Sequence, residues 1–411
     1  MNLYLIIFQH IPFKREKVYE EHQELFEEIE KYFKLYLVPL NKIDKIPAEE
    51  YKMAFIATSR VENIITQYFD DLPYPIHLLC DGQQGSLTAA LEVSTWIRNK
   101  GMKVHLIHGT TQTMVKQLLD HHWVFAARRE IKTKRIGVIG FPSPWIIASN
   151  VDYLMTKRRL GIELVNIDPK QVLNLYDKVT DDEIGPMATQ FVNDAAEYHE
   201  GDPDALLKGM RLYKALKLLA EHNQLHALTF ASSPMLDKIN ITGNVAASLL
   251  NNEGIITACE GDLQSVVTMM VAKILTGQSS FMGNVSFLNE EENTFVISHS
   301  SIPTSMTERY HIRNEASTEK GIAIQGVLNK QEVTVLKCGG ECLDEYFVSR
   351  GKIIDNTELP FIGRTQLCVQ MQKSIGYFYS CNLGNHHILL TGDHVQVIKE
   401  FMQLYESKSV Y

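Results

Sequence analysis

The residues with the strongest claim to chemistry stand in one block, from Glu260 to His299. The chain there reads Thr257-Ala-Cys-Glu-Gly-Asp262 and runs through a long apolar stretch to Leu275-Thr276-Gly277. It then passes Ser280-Phe-Met-Gly-Asn284 and ends on Asn293-Thr-Phe-Val-Ile-Ser-His299. This pattern predicts a carboxylate at the end of one strand and an imidazole at the end of another, with a helix between them. A hard divalent metal, or a proton-shuttling site on a sugar, uses that arrangement. Asn385-His386-His387 adds two more imidazoles near the C-terminus. Adjacent residues on a strand point to opposite faces, so only one of the pair enters a given site.

Each of these positions also has a plainer reading. Glu260 can be a solvated strand end, and Asp262 reads first as the N-cap of the helix that follows. A lone strand-end histidine such as His299 is more often structural than a ligand. The segments Tyr310-His311-Ile-Arg313-Asn314-Glu315 and Arg364-Thr365-Gln366 offer polar contacts to a sugar or anion, and singly each is as readily a solvated loop. Met269 and Met270 are core packing at helical spacing. No serine nucleophile elbow, P-loop or HExxH helix is present. The strand Arg135–Gly140 leads into Phe-Pro-Ser-Pro-Trp145 rather than a glycine-rich turn, which argues against a dinucleotide site.

The elements that must position these residues read as α/β: two doubly wound parallel-sheet domains followed by a C-terminal antiparallel β-barrel-like domain. The expected boundaries are 1–133, 134–278 and 279–411, the last closing with a helix over Val395–Tyr405. In the first segment the strands Leu3–Phe8, Leu35–Val38, Met53–Thr58, Ile76–Cys80 and Val104–Ile107 alternate with helices Lys17–Phe33, Ser86–Lys100 and Thr113–Arg128. Such sheets bind ligands beyond the C-terminal ends of their strands. The loop Asp81–Ser86 lies there, and its Gln84 is a candidate substrate contact. The middle segment adds strands at Arg135–Gly140, Glu163–Ile167, Leu225–Phe230 and Ile255–Cys259, with room for a short helix in the long, acidic and polar connection Asp168–Asp202. From about 279 the spacing predicts short strands at Thr294–His299, Gly321–Val327, Glu332–Lys337, Glu345–Ile354, Thr365–Val369 and His387–Thr391.

With 411 residues, 45% of them apolar, the chain is long enough for two or three cored domains. A net charge of -9 disfavours nucleic acid and anionic membrane as partners. No stretch has the length and apolarity of a spanning helix, and Met1–Phe8 reads as a first strand rather than a signal peptide. Six cysteines are too sparse for a disulfide scaffold, which makes a cytoplasmic enzyme the natural expectation.

Taken together, the residues resemble the L-fucose/L-arabinose isomerase superfamily, in its shorter fucose-isomerase-like branch. The likeness is most specific over Ala258–Asp262, Leu275–Gly277, Ser280–Met282, Asn293–His299 and Gly384–His387 with Gly392-Asp393. It is weaker over Arg135–Pro144 and Ile322–Gly326. The resemblance implies a homo-oligomer, trimer or hexamer, that interconverts an aldose and a ketose with Mn²⁺ or another divalent metal. It implies Glu260 as metal ligand and proton-transfer group, His299 as ligand, and one of His386 and His387, preferably His387, as a further ligand. The other imidazole, with His311, Arg313, Glu315, Arg364 and Gln84, then falls among the substrate contacts. One position departs from the family: its second carboxylate falls at Gly283-Asn284, where Asn284 is at most a weak amide ligand and no base. Asp262, Glu315 or Glu319 would then have to act in its place, or the reaction differs, or the protein binds a sugar without converting it.

Overall fold

A computed structural model describes every residue of the chain except 199, 232–233 and 317–320. The chain divides into two compact units, Met1–Ala126 and Ala127–Tyr411.

The first unit is built on five parallel strands: β1 (Asn2–Phe8), β2 (Lys34–Pro39), β3 (Lys52–Ile56), β4 (Ile76–Leu79) and β5 (Val104–Ile107), in the order β2-β1-β3-β4-β5. Successive side chains on a strand point to opposite faces, so the continuous apolar runs serve two cores at once. Leu3, Leu5, Ile7 and Phe55 pack with Phe26 and Leu118 on one face. Ile6, Phe8, Ala54 and Ile56 pack with Val93 and Ile97 on the other. The helix expected over Lys17–Phe33 is two helices, Arg15–Glu21 and Gln23–Glu30. The break falls at buried His22, whose Nδ1 meets the Asp81 carboxylate at 2.6 Å.

The second unit begins with another parallel sheet: β6 (Arg135–Ile139), β7 (Glu163–Ile167), β9 (Ala227–Phe230) and β10 (Ile256–Cys259), ordered β10-β9-β6-β7. The polar stretch between β7 and β9 holds more structure than its composition suggests: helices Pro169–Tyr176 and Asp181–Asp194 and the two-residue strand β8 (Glu197–Tyr198). After the helix Leu263–Thr276 come β11 (Phe281–Asn289), β12 (Thr294–His299), β13 (Arg309–Asn314), β14 (Ile322–Val327), β15 (Glu332–Gly339), β16 (Glu345–Asn356), β17 (Thr365–Met371), β18 (His386–Thr391) and β19 (Lys408–Ser409).

Six of these close into an antiparallel barrel, β15-β18-β11-β12-β17-β16, sealed by pairing between β15 and β16. Closure leaves none of the six as a bare edge, apart from the short parallel addition of β19 to β16. The barrel interior is apolar, with Phe281, Phe295, Ile297, Val335, Phe347, Leu367 and Leu389 inaccessible to solvent. The strands β11 and β13, like the two-residue β8 and β19, lie where no strand was expected. The expected strand at Gly321–Val327 is β14, and it joins β13 and β8 in a separate three-stranded sheet instead of the barrel. No described helix is long and apolar enough to cross a membrane.

Candidate metal centre

Glu260 follows β10 directly, and its backbone is left-handed, with φ +65°. That conformation costs a residue with a Cβ about 1–2 kcal/mol, so the surrounding structure must hold it. It does so through the neighbouring backbone: the Glu260 carbonyl accepts from Ser143 N–H at 2.9 Å, and Gly261 N–H donates to the Phe230 carbonyl at 3.0 Å. Gly261 is also left-handed, and a Cβ there would lie 2.6 Å from Pro142 Cα. The expected Cys-Glu-Gly-Asp strand end is thus a tight turn seated against the loop that follows β6.

The turn delivers Glu260 to two histidines of the barrel. His299, the last residue of β12, places Nε2 3.9 Å from Glu260 Oε1. His386, the first residue of β18, places Nε2 3.9 Å from Glu260 Oε2. One donor atom from each of the three residues lies within 4.8 Å of the other two. Both imidazoles are buried, and each is anchored through Nδ1. That of His299 meets Ser301 Oγ at 2.7 Å, and that of His386 meets the Asp262 carboxylate at 2.9 Å. His386 Nε2 is buried and has no hydrogen-bond partner among the described residues. A buried ring nitrogen without a partner is costly, and two imidazoles with a carboxylate are a set that divalent transition metals take while leaving positions open. The donor set therefore fits a cation.

Asp262 is fully buried and does two structural jobs. Its Oδ1 accepts from Ser265 N–H at 2.7 Å, capping the helix Leu263–Thr276, while Oδ2 holds His386. A carboxylate behind a histidine fixes which nitrogen faces the metal. Behind it again lies Lys337, equally buried, with Nζ 3.2 Å from Ser265 Oγ and 3.8 Å from Asp262 Oδ2. Burial alone would raise the Asp262 carboxyl; the Lys337 charge and the His386 contacts outweigh it and hold it below the usual range. Burial likewise works to raise Glu260. The neighbouring His299, the charge of His386 and the indole of Trp145 overcome it, lowering Glu260 to about 2. Trp145 Nε1 donates to Glu260 Oε2 at 2.6 Å.

The cavity beside this cluster has a volume of about 550 Å³, and Trp145, Asn244, Glu260, Asn284, His299 and Glu315 are among its lining residues. Phe361 also borders it and is 89% exposed. Among the described lining residues there is no lysine or arginine.

No family model matches the chain. It is similar to curated proteins named sulfoquinovose isomerase. That of Priestia aryabhattai is 22% identical over 327 residues, covering 75% of this chain and 71% of its own length. That of Priestia megaterium gives the same figures. That of Alkalicoccus urumqiensis is 23% identical over 223 residues, or 53% of this chain and 50% of its own length.

The residues of interest, expected and unexpected, fall into three groups. Glu260 and His299 meet as expected, and the third donor is His386, not the preferred His387. Strand register decides this: His386 pairs across β11 with Asn284, which lines the cavity, whereas His387 pairs with Gly283 and turns the other way. His387 Nε2 meets Tyr377 Oη at 3.0 Å, Nδ1 meets the Asn385 carbonyl at 3.1 Å, and Phe347 and Phe378 flank the ring. Burial pushes it down to about 3. Asp262 does not reach the cavity as a catalytic acid, because both its oxygens are engaged beneath His386. Asn284 lines the cavity and spends Oδ1 on Asn385 Nδ2 at 2.6 Å.

The second group lies elsewhere. His311, Arg313 and Arg364 line a different cavity of about 330 Å³. There Arg313 donates to Glu200 at 2.9 Å and to Gln325 at 2.8 Å, and Arg364 Nε donates to the Asn314 carbonyl at 2.8 Å. Gln84 belongs to the first unit, in a tight turn whose carbonyl accepts from Ser59 N–H at 3.0 Å. Glu319 lies outside the described residues. The third group went unread. Trp145 sits in a proline-flanked loop after β6, and Ser301 follows His299 by two residues. Lys337 interrupts the apolar run Val333–Cys338, and an inward lysine there requires a buried partner.

Proposed function

We propose that the chain is a metal-assisted aldose–ketose isomerase of a monosaccharide, with Glu260, His299 and His386 holding a divalent cation of the Mn²⁺ type. The observation that carries this reading is the unpartnered, buried Nε2 of His386, converging with His299 Nε2 on one carboxylate beside a sugar-sized cavity. The similarity to sulfoquinovose isomerases supports the reaction class. When bound, the cation supplies Lewis acidity to two neighbouring sugar oxygens and offsets the negative charge of an enediolate.

The protein's own groups do the rest. Asp262 and Ser301 hold the two imidazoles with Nε2 forward, and Trp145 steadies Oε2 of Glu260. Asn244, Ser286, Ser298 and Ser300 line the cavity with short polar side chains suited to hydroxyl groups. The described lining offers no cation to an acidic substituent, so neutral aldoses and sulfoquinovose, a sulfonated hexose, belong in the same assay.

The test is direct. Purified protein loaded with Mn²⁺ should retain about one ion per chain, and Glu260→Gln and His386→Gln should lose it. The loaded wild type should interconvert at least one aldose–ketose pair from a panel of pentoses, hexoses, sulfoquinovose and uronic acids. Asn284, standing where the family carries its second carboxylate, favours one rival: a protein that binds a sugar without turning it over. Stoichiometric metal and sugar binding with no turnover across the panel would establish that rival.

A further inference from the structure

We propose that Glu315 is the base that carries the proton between adjacent sugar carbons, an inference that rests on the isomerase reading. The family that the chain resembles uses two carboxylates for the proton transfer, and Asn284 stands where the second falls, so a further acid is needed beside Glu260. The described titratable side chains lining the cavity are Asp237, Cys259, Glu260, His299 and Glu315. Glu260 and His299 are the ligands. The Cys259 thiol is buried and donates toward Ser301 Oγ at 3.6 Å. Asp237 is solvent-exposed on the short helix Pro234–Ile239. Asn284 is an amide and accepts no proton in this range.

Glu315 is half-buried and fixed from several directions. Asn244 Nδ2, at the start of the helix Asn244–Asn252, donates to Oε2 at 2.7 Å. Ser300 Oγ, beside His299, donates to Oε1 at 3.1 Å, and Ala316 N–H donates to the same oxygen at 2.9 Å. A carboxylate has about four lone-pair sites, and among the described residues three donors engage Glu315, which leaves one site to receive a proton. The geometry is that of a mounted base: oriented by its neighbours, facing the cavity, and joined through Ser300 to the strand end that carries a ligand.

The step balances without any further reactant. Glu315 takes the proton from C2 of the open-chain aldose, the C–H electron pair becomes the C1–C2 double bond, and the aldehyde π pair moves onto O1. The hydroxyl proton of O2 passes to O1. The O2 electron pair then forms the ketone, and the double-bond pair takes the proton back from Glu315 at C1. The product is the ketose, and Glu315 is again a carboxylate.

The experiment compares wild type, Glu315→Gln and Glu315→Asp, each loaded with Mn²⁺, on sulfoquinovose and on any other aldose of the panel that the wild type converts, in D₂O. Glu315→Gln should lower kcat by about 10²–10⁴-fold, with KM and metal content close to wild type. Deuterium incorporation into the carbon-bound positions should fall in step. Glu315→Asp keeps the charge with a shorter reach and should recover part of the lost rate. An active wild type with Glu315→Gln turning over within threefold of it overturns the assignment while leaving the isomerase reading intact. A wild type inactive on every sugar overturns both. Should Glu315→Gln fail to fold, Glu315→Asp decides: unaltered kcat refutes the role, and lowered kcat at unchanged KM supports it.

Discussion

His386 and His387 are chemically identical neighbours, and their surroundings give them opposite duties. One is anchored at Nδ1 by Asp262 and leaves Nε2 without a partner; the other spends both nitrogens on Asn385 and Tyr377 inside an aromatic cluster. Substitution should separate them cleanly. His386→Gln abolishes stoichiometric Mn²⁺ binding while the thermal midpoint of the metal-free protein moves little. His387→Ala leaves a cavity among Phe347, Tyr377 and Phe378 and should destabilise by roughly 2–5 kcal/mol, the range for emptying a packed core position. Metal analysis and urea unfolding of the same two preparations check both outcomes. Asp262→Asn adds a third case. Asparagine still caps a helix, so the Leu263–Thr276 helix keeps its start. Lys337 loses its counter-charge, a change that costs roughly 3–5 kcal/mol for a broken buried pair. Metal affinity should also fall about 10–100-fold, as it does when the partner of a ligating histidine is removed. If Asp262→Asn binds Mn²⁺ as tightly as wild type, the carboxylate is only a cap.

At the scale of elements, the site depends on strand ends brought into register. Gly363 shows how tightly. A Cβ there would sit 2.5 Å from His299 Cα and 2.7 Å from its backbone N and C, so the segment before β17 lies directly on the main chain of His299. Gly363→Ala must push the end of β12 away. The expected result is weakened Mn²⁺ binding at unchanged far-ultraviolet circular dichroism, read by titration and spectrum on one sample. The same dependence on register explains what the sequence could reveal. A strand ending in Cys-Glu-Gly-Asp announces a carboxylate at a sheet's ligand-binding end, and Glu260 was legible for that reason. Choosing between His386 and His387 requires knowing which of them pairs with Asn284. A shift of one residue reverses every side chain, and local pattern does not fix a β18–β11 pairing about a hundred residues apart in sequence. β11 itself went unread; in the barrel its Gly283 is needed, since a Cβ would lie 2.6 Å from Ile297 Cγ1. His311, Arg313 and Arg364 share a cavity, but the two guanidinium groups answer Glu200, and His311 lies 3.6 Å from Glu197, both acids coming from the acidic segment before β9, a pairing invisible along the chain.

At the scale of the whole molecule, the first of the two units holds a titrating group of histidines of its own. His77 on β4, His105 on β5 and His121 on the helix Thr111–Ile131 have ring centroids 4.5–5.7 Å apart. Burial lowers His121 to about 4, helped by the charge of His105 and opposed by Asp120, and burial with both neighbouring histidines lowers His77 well below its ordinary value. An unfolded chain protonates the rings of His77 and His121 near pH 6.5. Between that pH and about 4 the unfolded state therefore binds more protons than the folded one, and unfolding free energy rises with pH through this window. The contribution is complete above about 6.5 and is lost progressively as the solution is acidified toward 4. Of the three tryptophans, Trp96 and Trp123 lie in the first unit and Trp145 in the second. In a Trp145→Phe background, urea unfolding followed by tryptophan fluorescence thus reports on the first unit alone. Its midpoint should fall steadily from pH 7 to 4.5, and adding His121→Gln should flatten that fall, because glutamine takes up no proton in either state. A midpoint equally steep in pH with and without His121 would show that the acid sensitivity of this unit arises elsewhere.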